Sequence, residues 1–379
     1  MNRRSILFVD HASALGGAEQ SLLLLLKHLD KTQWQPHLVC AGGPLAEAAI
    51  TLNVPVHSVS LPRLRRSPTF LLDWFDTART IGRITQSIDA VLLHSNTVRA
   101  SIYTALAAHL AQRPFVWHMR DFWLSESEPR LLWADKLGKR LLCASASAVI
   151  ANSCSVAAHL PCSKRVTVVH NGIEQEQFDP SLDGTPFRQR HDIPLGVPVA
   201  GMVGRLRPWK GQETFLRAAA LVHQARSEAR FLIVGGDPFQ IGDEYSHQLH
   251  RLAAELGLDG HVTFTGHLDD VRPALAAMDV FVHPGAAEPF GLVNLEAMAM
   301  SRPVVGFAHG ALPEIVVDGE TGLLVPPANI QGLAQAMEAL LDDPERARTM
   351  GAAGRIRAKT SFDVRHTANL VGRLYEDLT

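Results

Sequence analysis

VFVHPGAAEPFGLVNLEAMAM, residues 280–300, changes its period halfway. The first four residues are apolar or β-branched in the manner of a buried strand. Two bends follow, Pro284-Gly285 and Pro289-Phe290-Gly291, and then a run with helical spacing. Strand, bend and helix in that order are the repeating unit of a parallel α/β sheet. Gly291 stands where the helix begins, so the amides of Leu292 and Val293 lack intrahelical partners at the positive end of the dipole. That is an anion site of a kind suited to a diphosphate. Glu288 and Glu296 lie eight positions apart around it. Glu296 sits among Leu295, Ala297 and Met298, where a carboxylate without partners is costly, and it is suited to accept both hydroxyls of a ribose. Glu288 is suited to accept hydroxyls of a sugar joined to that diphosphate, although by itself it reads equally well as a solvated side chain.

The same alternation runs along the chain. Strands are expected at 6–10, 36–40, 54–59, 90–94, 115–118, 148–152 and 166–170, and again at 199–203, 230–234, 262–265, 280–283 and 304–307. Helical patterns such as 18–29, 98–111, 212–226 and 244–256 lie between them. Two such sets predict two Rossmann-like, doubly wound α/β domains. A polar, Gly- and Pro-containing stretch at 171–186 marks the boundary, and 362–378 reads as one further helix. The expected division is 1–178, 179–361 and a tail of 362–379.

Bulk properties restrict the function. At 379 residues, two domains are expected rather than one core. Apolar content of 46% and charged content of 20% are those of an ordinary globular protein. Net charge is −2, which gives no sign of a nucleic-acid partner. Residues 1–180 hold 18 Lys and Arg against 14 Asp and Glu, and the rest 18 against 24. The N-terminal half is thus the better candidate for an anionic surface. Cys40, Cys143, Cys154 and Cys162 have no metal-ligand spacing, and reduced, cytoplasmic cysteines are expected. No stretch reads as a signal peptide, and no apolar run approaches the length of a membrane span.

Other motifs follow strands. GMVGRLRPWKGQE, residues 201–213, offers Arg205 and Lys210 beside a glycine-containing turn, two cations able to stabilise a diphosphate leaving group without metal. No Asp-x-Asp pair occurs in the chain. DHASALGGAEQSLLLLL, residues 10–26, opens a helix at Gly16-Gly17, an arrangement that permits close approach of an anion. It lacks the Gly-x-Gly-x-x-Gly pattern, as does LIVGGDP at 232–238. FVWHMRD, residues 115–121, puts His118 at a strand end, where it can touch a donor sugar or leaving phosphate; one His among 18 is more often structural. Asn96 and Ser153, at two further strand ends, read as acceptor contacts or as helix caps.

Together these motifs resemble the retaining, metal-independent glycosyltransferases of family 4. Their fold, GT-B, has two facing Rossmann-like domains. The resemblance covers essentially the whole chain. Its most specific piece is the E-x7-E motif, here Glu288 to Glu296; GRLRPWKG, VVHNGIEQEQFDP and HGALPEIVVDGETGLLVPP add to it. The resemblance implies that Glu288 holds the donor sugar's hydroxyls, Glu296 the ribose, and Arg205 with Lys210 the diphosphate. It implies that Phe290, Gly291, Leu292 and Val293 form the loop and helix start beneath sugar and diphosphate. Gly17 would approach the donor from the other domain, and His118 would contact the sugar. It further implies front-face attack, with the leaving phosphate taking the acceptor's proton, and a tail helix crossing back onto the N-terminal domain. An acceptor-binding N-terminal domain and a donor-binding C-terminal domain are expected, with no cofactor and no metal. The resemblance implies a UDP- or GDP-sugar as donor and a glycan or lipid-linked sugar as acceptor.

Such acceptors raise the question of a membrane. In LPRLRRSPTFLLDWFDTARTIGR, residues 61–83, Arg63, Arg65 and Arg66 precede Phe70, Leu71, Trp74 and Phe75, a pattern suited to an anionic interface at the inner membrane face or, equally, to a solvated loop before a packed helix. The competing enzyme readings are a sugar-nucleotide epimerase and a glycosyl phosphorylase. A pyridoxal-dependent phosphorylase needs a Schiff-base lysine, and lysine is scarce in the second half. The fingerprint of an NAD-dependent oxidoreductase is missing, and a scaffold that had lost catalysis has no reason to keep both Glu288 and Lys210.

Overall fold

A computed structural model of the chain describes residues 3–63, 70–124, 129–162, 166–236 and 243–379. It divides into two compact units, Met1–Gly172 with Val364–Thr379, and Ile173–Asp363.

The first unit holds seven parallel strands: β1 Arg4–Val9, β2 Trp34–Cys40, β3 Val56–Ser58, β4 Ala90–Ser95, β5 Phe115–Met119, β6 Ala148–Ala151 and β7 Val166–Val168. They lie in the order β3-β2-β1-β4-β5-β6-β7. Strand order reverses between β1 and β4, the place where open α/β sheets bind ligands at their carboxyl ends. The two strands are level there, Val9 beside Ser95. Helices α3 Phe70–Ser87, α4 Val98–Ala111 and α5 Leu132–Ser145 share one hydrophobic cluster with Leu7, Leu93 and Trp117. The opposite cluster contains Leu22 and Leu25 of α1 Gly17–His28, Leu45 of α2 Pro44–Thr51, and Ala368, Val371 and Tyr375 of the tail helix Val364–Glu376. Cover on both faces is why the strands read as continuous apolar runs. The short helix α6, Cys154–Ala158, is capped by Ser153, whose oxygen accepts from the Val156 amide at 3.0 Å.

The second unit holds β8 Val199–Val203, β9 Arg230–Val234, β10 Val262–Phe264, β11 Val280–His283, β12 Val304–Phe307 and β13 Gly322–Val325, in the order β10-β9-β8-β11-β12-β13. Its switch point lies between β8 and β11. Helices α7 Thr185–Arg190, α8 Gln212–Ala225, α9 Asp243–Glu255, α10 Arg272–Ala277, α11 Leu292–Ala299, α12 Leu312–Ile315, α13 Ile330–Asp342 and α14 Pro344–Ser361 surround the sheet, and the tail helix is α15. Phe231, Phe215 and Met337 centre one core; Phe281, Leu295 and Met298 centre the other.

Three expectations are corrected. The division falls at Gly172 and Ile173 rather than after residue 178. The intervening segment is tied to the second unit: the Ile173 amide donates to the Phe362 carbonyl at 2.9 Å, and Arg355 Nη1 to the Phe178 carbonyl at 2.8 Å. The thirteenth strand was not foreseen. Gly322 opens it because an added Cβ would lie 2.0 Å from the Val304 carbonyl oxygen, so glycine there serves close strand packing rather than a turn. Finally, Cys143 at the end of α5 and Cys162 before β7 form a disulfide, while Cys40 and Cys154 remain thiols. The bridged cysteines stand 19 positions apart, and spacing alone does not reveal the pairing. Among the described residues no helix is long and apolar enough to cross a membrane.

Candidate functional site

In the second unit, the loops after β8 and β11 meet at the switch point. After β8, Pro208–Lys210 makes one 3-10 turn that ends at Gly211 with φ 80°. Only glycine fits there, since an added Cβ would lie 2.3 Å from the Pro284 carbonyl oxygen. This close approach carries Lys210 to the loop after β11. Lys210 Nζ donates to Glu288 Oε1 at 2.5 Å, and both side chains are largely buried. His283 Nε2 lies 3.8 Å from the same oxygen. Burial pushes the Glu288 pKa up, but Lys210, His283 and Arg205 outweigh it and hold the group below its ordinary value. Glu288 is therefore an ionised acceptor at neutral pH. The loop that presents it is fixed from behind: the Ala311 amide donates to the Glu288 carbonyl at 3.0 Å, and His309 Nε2 donates to the Gly285 carbonyl at 3.0 Å.

Phe290 is a core residue, 3% exposed, with its ring edge-on to Phe362 at 6.1 Å between centroids. It anchors the bend, and its side chain faces the core instead of an open surface. Gly291 follows with φ 84° and opens α11. Leu292 and Val293, partly buried against the core, supply the first free amides of that helix. The helix ends at Met300, because Ser301 adopts φ 56° and Pro303 follows. Glu296, on its middle turn, differs from Glu288. Burial alone pushes its pKa up to about 7. A carboxylate so placed gains from any ligand that brings it two hydroxyl donors. Arg205 is exposed, yet close enough to help hold Glu288 ionised. Arg205, Lys210 and Glu288 thus lie together at the switch point, with Gly291, Leu292 and Val293 at the helix start that follows and Glu296 one turn further on.

In the first unit, Gly16 caps α1 in extended conformation and its amide donates to Glu19 Oε2 at 2.9 Å. Nothing lies within 4 Å of where a Cβ on Gly17 would be. His118 is 1% exposed at the end of β5, among residues that a run-by-run reading misses. Arg120 Nε donates to Asn96 Oδ1 at 2.7 Å, Nη2 to His118 Nδ1 at 3.3 Å, and Nη1 to Asn171 Oδ1. Asn96 Nδ2 in turn donates to Asp10 Oδ2 at 2.7 Å and to the Ala18 carbonyl at 3.1 Å. Asn96 is thus a network residue, and the expectation that it caps α4 is corrected, since Thr97 occupies that position. Burial lowers the Arg120 pKa to about 10, and nearby Asp10 and Glu19 act in the opposite sense. Burial, reinforced by Asp10, raises Glu19 to about 7. Asp10, Glu19 and Arg120 each follow a strand end or a glycine pair, and that position was the only local signal they gave.

Arg65 and Arg66 lie outside the described residues. Arg63 is exposed; on α3, Leu71, Leu72 and Phe75 are 65%, 66% and 43% exposed. Trp74 instead packs inward, its Nε1 donating to the Ile102 carbonyl at 3.3 Å.

A family model described as glycosyl transferases group 1 matches residues 183–357, and one described as glycosyltransferase family 4 matches residues 15–177. The chain is 33% identical over 317 residues to the alpha-maltose-1-phosphate synthase of Mycolicibacterium smegmatis, covering 76% of this chain and 80% of that one. It is 30% identical to the lipopolysaccharide core mannosyltransferase LpsB of Rhizobium meliloti, covering 71% and 83%. To the D-inositol 3-phosphate glycosyltransferase of Corynebacterium glutamicum it is 35% identical, across 56% of this chain and 52% of that relative. Among solved structures, Anabaena HepE in complex with UDP and glucose superposes with a TM-score of 0.84 at 27% identity, covering 98% and 99% of the two chains. The sucrose-phosphate synthase of Thermosynechococcus elongatus gives 0.81 at 25% identity and 99% of each chain.

Proposed function

The chain belongs to glycosyltransferase family 4, with the GT-B fold, and we propose that it moves a hexosyl unit from a UDP- or GDP-sugar to a glycan or lipid-linked acceptor, with retention and without a metal ion. One observation carries the reading. Around the start of α11, an ionised acid paired with lysine stands on one side and an acid raised to about 7 by burial on the other. The first suits a sugar's hydroxyls and the second a ribose, with the Leu292 and Val293 amides, Arg205 and Lys210 between them for the diphosphate.

The chemistry follows from charge. Breaking the sugar–phosphate bond leaves negative charge on the diphosphate, and the two cations and the helix start stabilise it. The departing phosphate oxygen takes the proton of the attacking hydroxyl on the same face, so no protein nucleophile is needed. We further propose that His118 contacts the donor's sugar and Gly17 its phosphates. HepE was solved with UDP-glucose, which supports a UDP-sugar. A relative described as a GDP-mannose-dependent mannosyltransferase, 39% identical over 194 residues, supports a GDP-sugar equally.

Thermal-shift screening of UDP- and GDP-sugars, followed by nucleotide release with candidate acceptors, tests this. Acceptor-dependent release of UDP or GDP agrees with it. An epimerised nucleotide-sugar without net nucleotide release favours an epimerase, and sugar 1-phosphate formation from a glycan and phosphate favours a phosphorylase.

The acceptor reading extends to an anionic membrane through Arg63, Arg65 and Arg66, supported by the exposed apolar residues of α3. On the same sheet face, α5 exposes Trp133, Leu137 and Leu141 at 66%, 48% and 63%, beside Lys136 and Arg140. Vesicle co-sedimentation that is unchanged when the three arginines become serine removes this extension. A cytoplasmic location is retained as part of the reading. Fractionation of cells tests it: recovery of the chain with the cytoplasmic or inner-membrane fraction agrees, and recovery outside both removes it.

A further inference from the structure

We propose that Tyr375 and His94 are positioning residues that, together with Arg120, fix His118 as a hydrogen-bond donor through Nε2 and exclude it as a base. The inference deepens the reading above, in which His118 meets the donor.

The assignment follows from which groups can give protons. Arg120 is a pure donor, and its Nη2 lies 3.3 Å from His118 Nδ1. That nitrogen therefore accepts and carries no hydrogen. A neutral imidazole has one N–H, so the hydrogen of His118 is on Nε2. His94 Nε2 lies 3.2 Å from the same His118 Nδ1, so His94 donates there and its own Nδ1 is bare. The Tyr375 hydroxyl, 2.7 Å from His94 Nδ1, completes the chain by donating to it. The order is Tyr375 O–H to His94 Nδ1, and His94 Nε2–H to His118 Nδ1.

Both rings stay neutral. Burial and the neighbouring Arg120 charge lower His94 and His118 well below the ordinary histidine value. Burial likewise raises Tyr375 well above the ordinary phenol value, so it keeps its proton. The far end of the relay is open: His118 Nε2 is buried with no hydrogen-bond partner among the described residues. A buried N–H without an acceptor is uncommon and costly, and an oxygen of the donor sugar or its phosphate would satisfy it. With the Nδ1 lone pair engaged by two donors and Nε2 already protonated, His118 has no free lone pair with which to take a proton.

The relay also crosses 281 residues of sequence to α15. Tyr375 is fully buried there, with its ring 5.6 Å from Trp34 and 5.8 Å from His94. Seating of the tail helix thereby sets the proton position of a histidine at the end of β5. Without the phenol, the His94 proton is free to occupy either nitrogen. In the Nδ1–H form its Nε2 lone pair faces that of His118 Nδ1, and the His118 ring loses its fixed orientation.

The test combines spectroscopy of the unliganded full chain with kinetics. In the [15N]histidine-labelled protein, with assignments from His94→Gln and His118→Gln spectra, both rings are expected as single Nε2–H tautomers. Tyr375→Phe, which keeps the ring, should give His94 as a tautomer mixture and lower kcat about 3- to 10-fold, with donor KM changed less than about twofold. His118→Gln retains an N–H donor and should stay within about 30-fold of the parent, while His118→Leu should lose about 100-fold or more. An Nδ1–H tautomer of His118, an unchanged His94 in Tyr375→Phe, or a Gln variant as inactive as Leu overturns the relay. Full activity of His118→Leu with the Nε2–H tautomer intact overturns instead the reading that His118 meets the donor.

Discussion

The two units build their polar sites in opposite ways. In the second, the candidate groups come from two short stretches, 204–211 and 283–296, that meet at one switch point. In the first, Asp10, Asn96, Arg120, Asn171 and the His94–His118–Tyr375 relay come from separate strand ends and from a helix at the far end of the chain. The second unit concentrates charge that a ligand can use. The first spends most of its buried polar groups on one another and leaves His118 Nε2 among the few described ones without a partner. One arrangement is suited to grip an anion, the other to hold one donor still.

Substitutions can break or sharpen that contrast. The largest effect is expected from Arg120→Met, which leaves the fully buried Asp10 without its cation. Stability from urea unfolding should drop by about 3–5 kcal/mol, and a loss under about 1 kcal/mol would mean the network is not a mutual support. Lys210→Met should behave differently. Glu288 keeps His283 and Arg205 nearby, so the loss is mainly in turnover, about 10²–10³-fold in kcat, read by nucleotide release. Equal damage to stability in both variants erases the distinction between the units.

Glu296→Gln tests the acid raised by burial. Folding raises its pKa from 4.5 to about 7, so the folded chain holds its proton more tightly than the unfolded one. That stability is fully present below pH 4.5 and is lost as pH rises through 7. The variant should therefore be more stable than the parent at pH 8, on the order of 1–3 kcal/mol, and no more stable at pH 4. Its nucleotide affinity should fall about tenfold or more. In the parent, affinity should rise with pH through 7, because the ligand's hydroxyls need the carboxylate, and this slope should vanish in the variant. Calorimetric titration at several pH values reads both.

The smallest effect belongs to Gly17→Ala. A methyl there meets nothing within 4 Å in the unliganded chain. Stability should change by less than about 1 kcal/mol, while donor affinity falls if a phosphate approaches this helix start. Unchanged affinity removes Gly17 from the site.

How legible each part was in the sequence follows from the same contrast. Twelve of the thirteen strands could be read from apolar runs, because a parallel sheet covered on both faces requires such runs. The thirteenth, Gly322–Val325, is short and set among turn residues, and its glycine serves packing against β12. In the second unit, Glu288, Glu296 and Lys210 were visible because a bend, a helix start and two acids fall within one window. In the first, Gly17 and His118 were singled out, but Arg120, Glu19, His94 and Tyr375 were not. Their meaning lies in partners up to 281 residues away, and no periodicity encodes such pairings. The Cys143–Cys162 bridge was missed for the same reason.

The central claim is that a nucleotide diphosphate is held at the start of α11. Its most direct test is a crystal structure of the chain with UDP or GDP bound. The account predicts phosphate oxygens within hydrogen-bond distance of the Leu292 or Val293 amide and of Arg205 or Lys210, with the ribose hydroxyls on Glu296. A nucleotide bound elsewhere, or at this helix with Glu296 pointing away from the ribose, would contradict it.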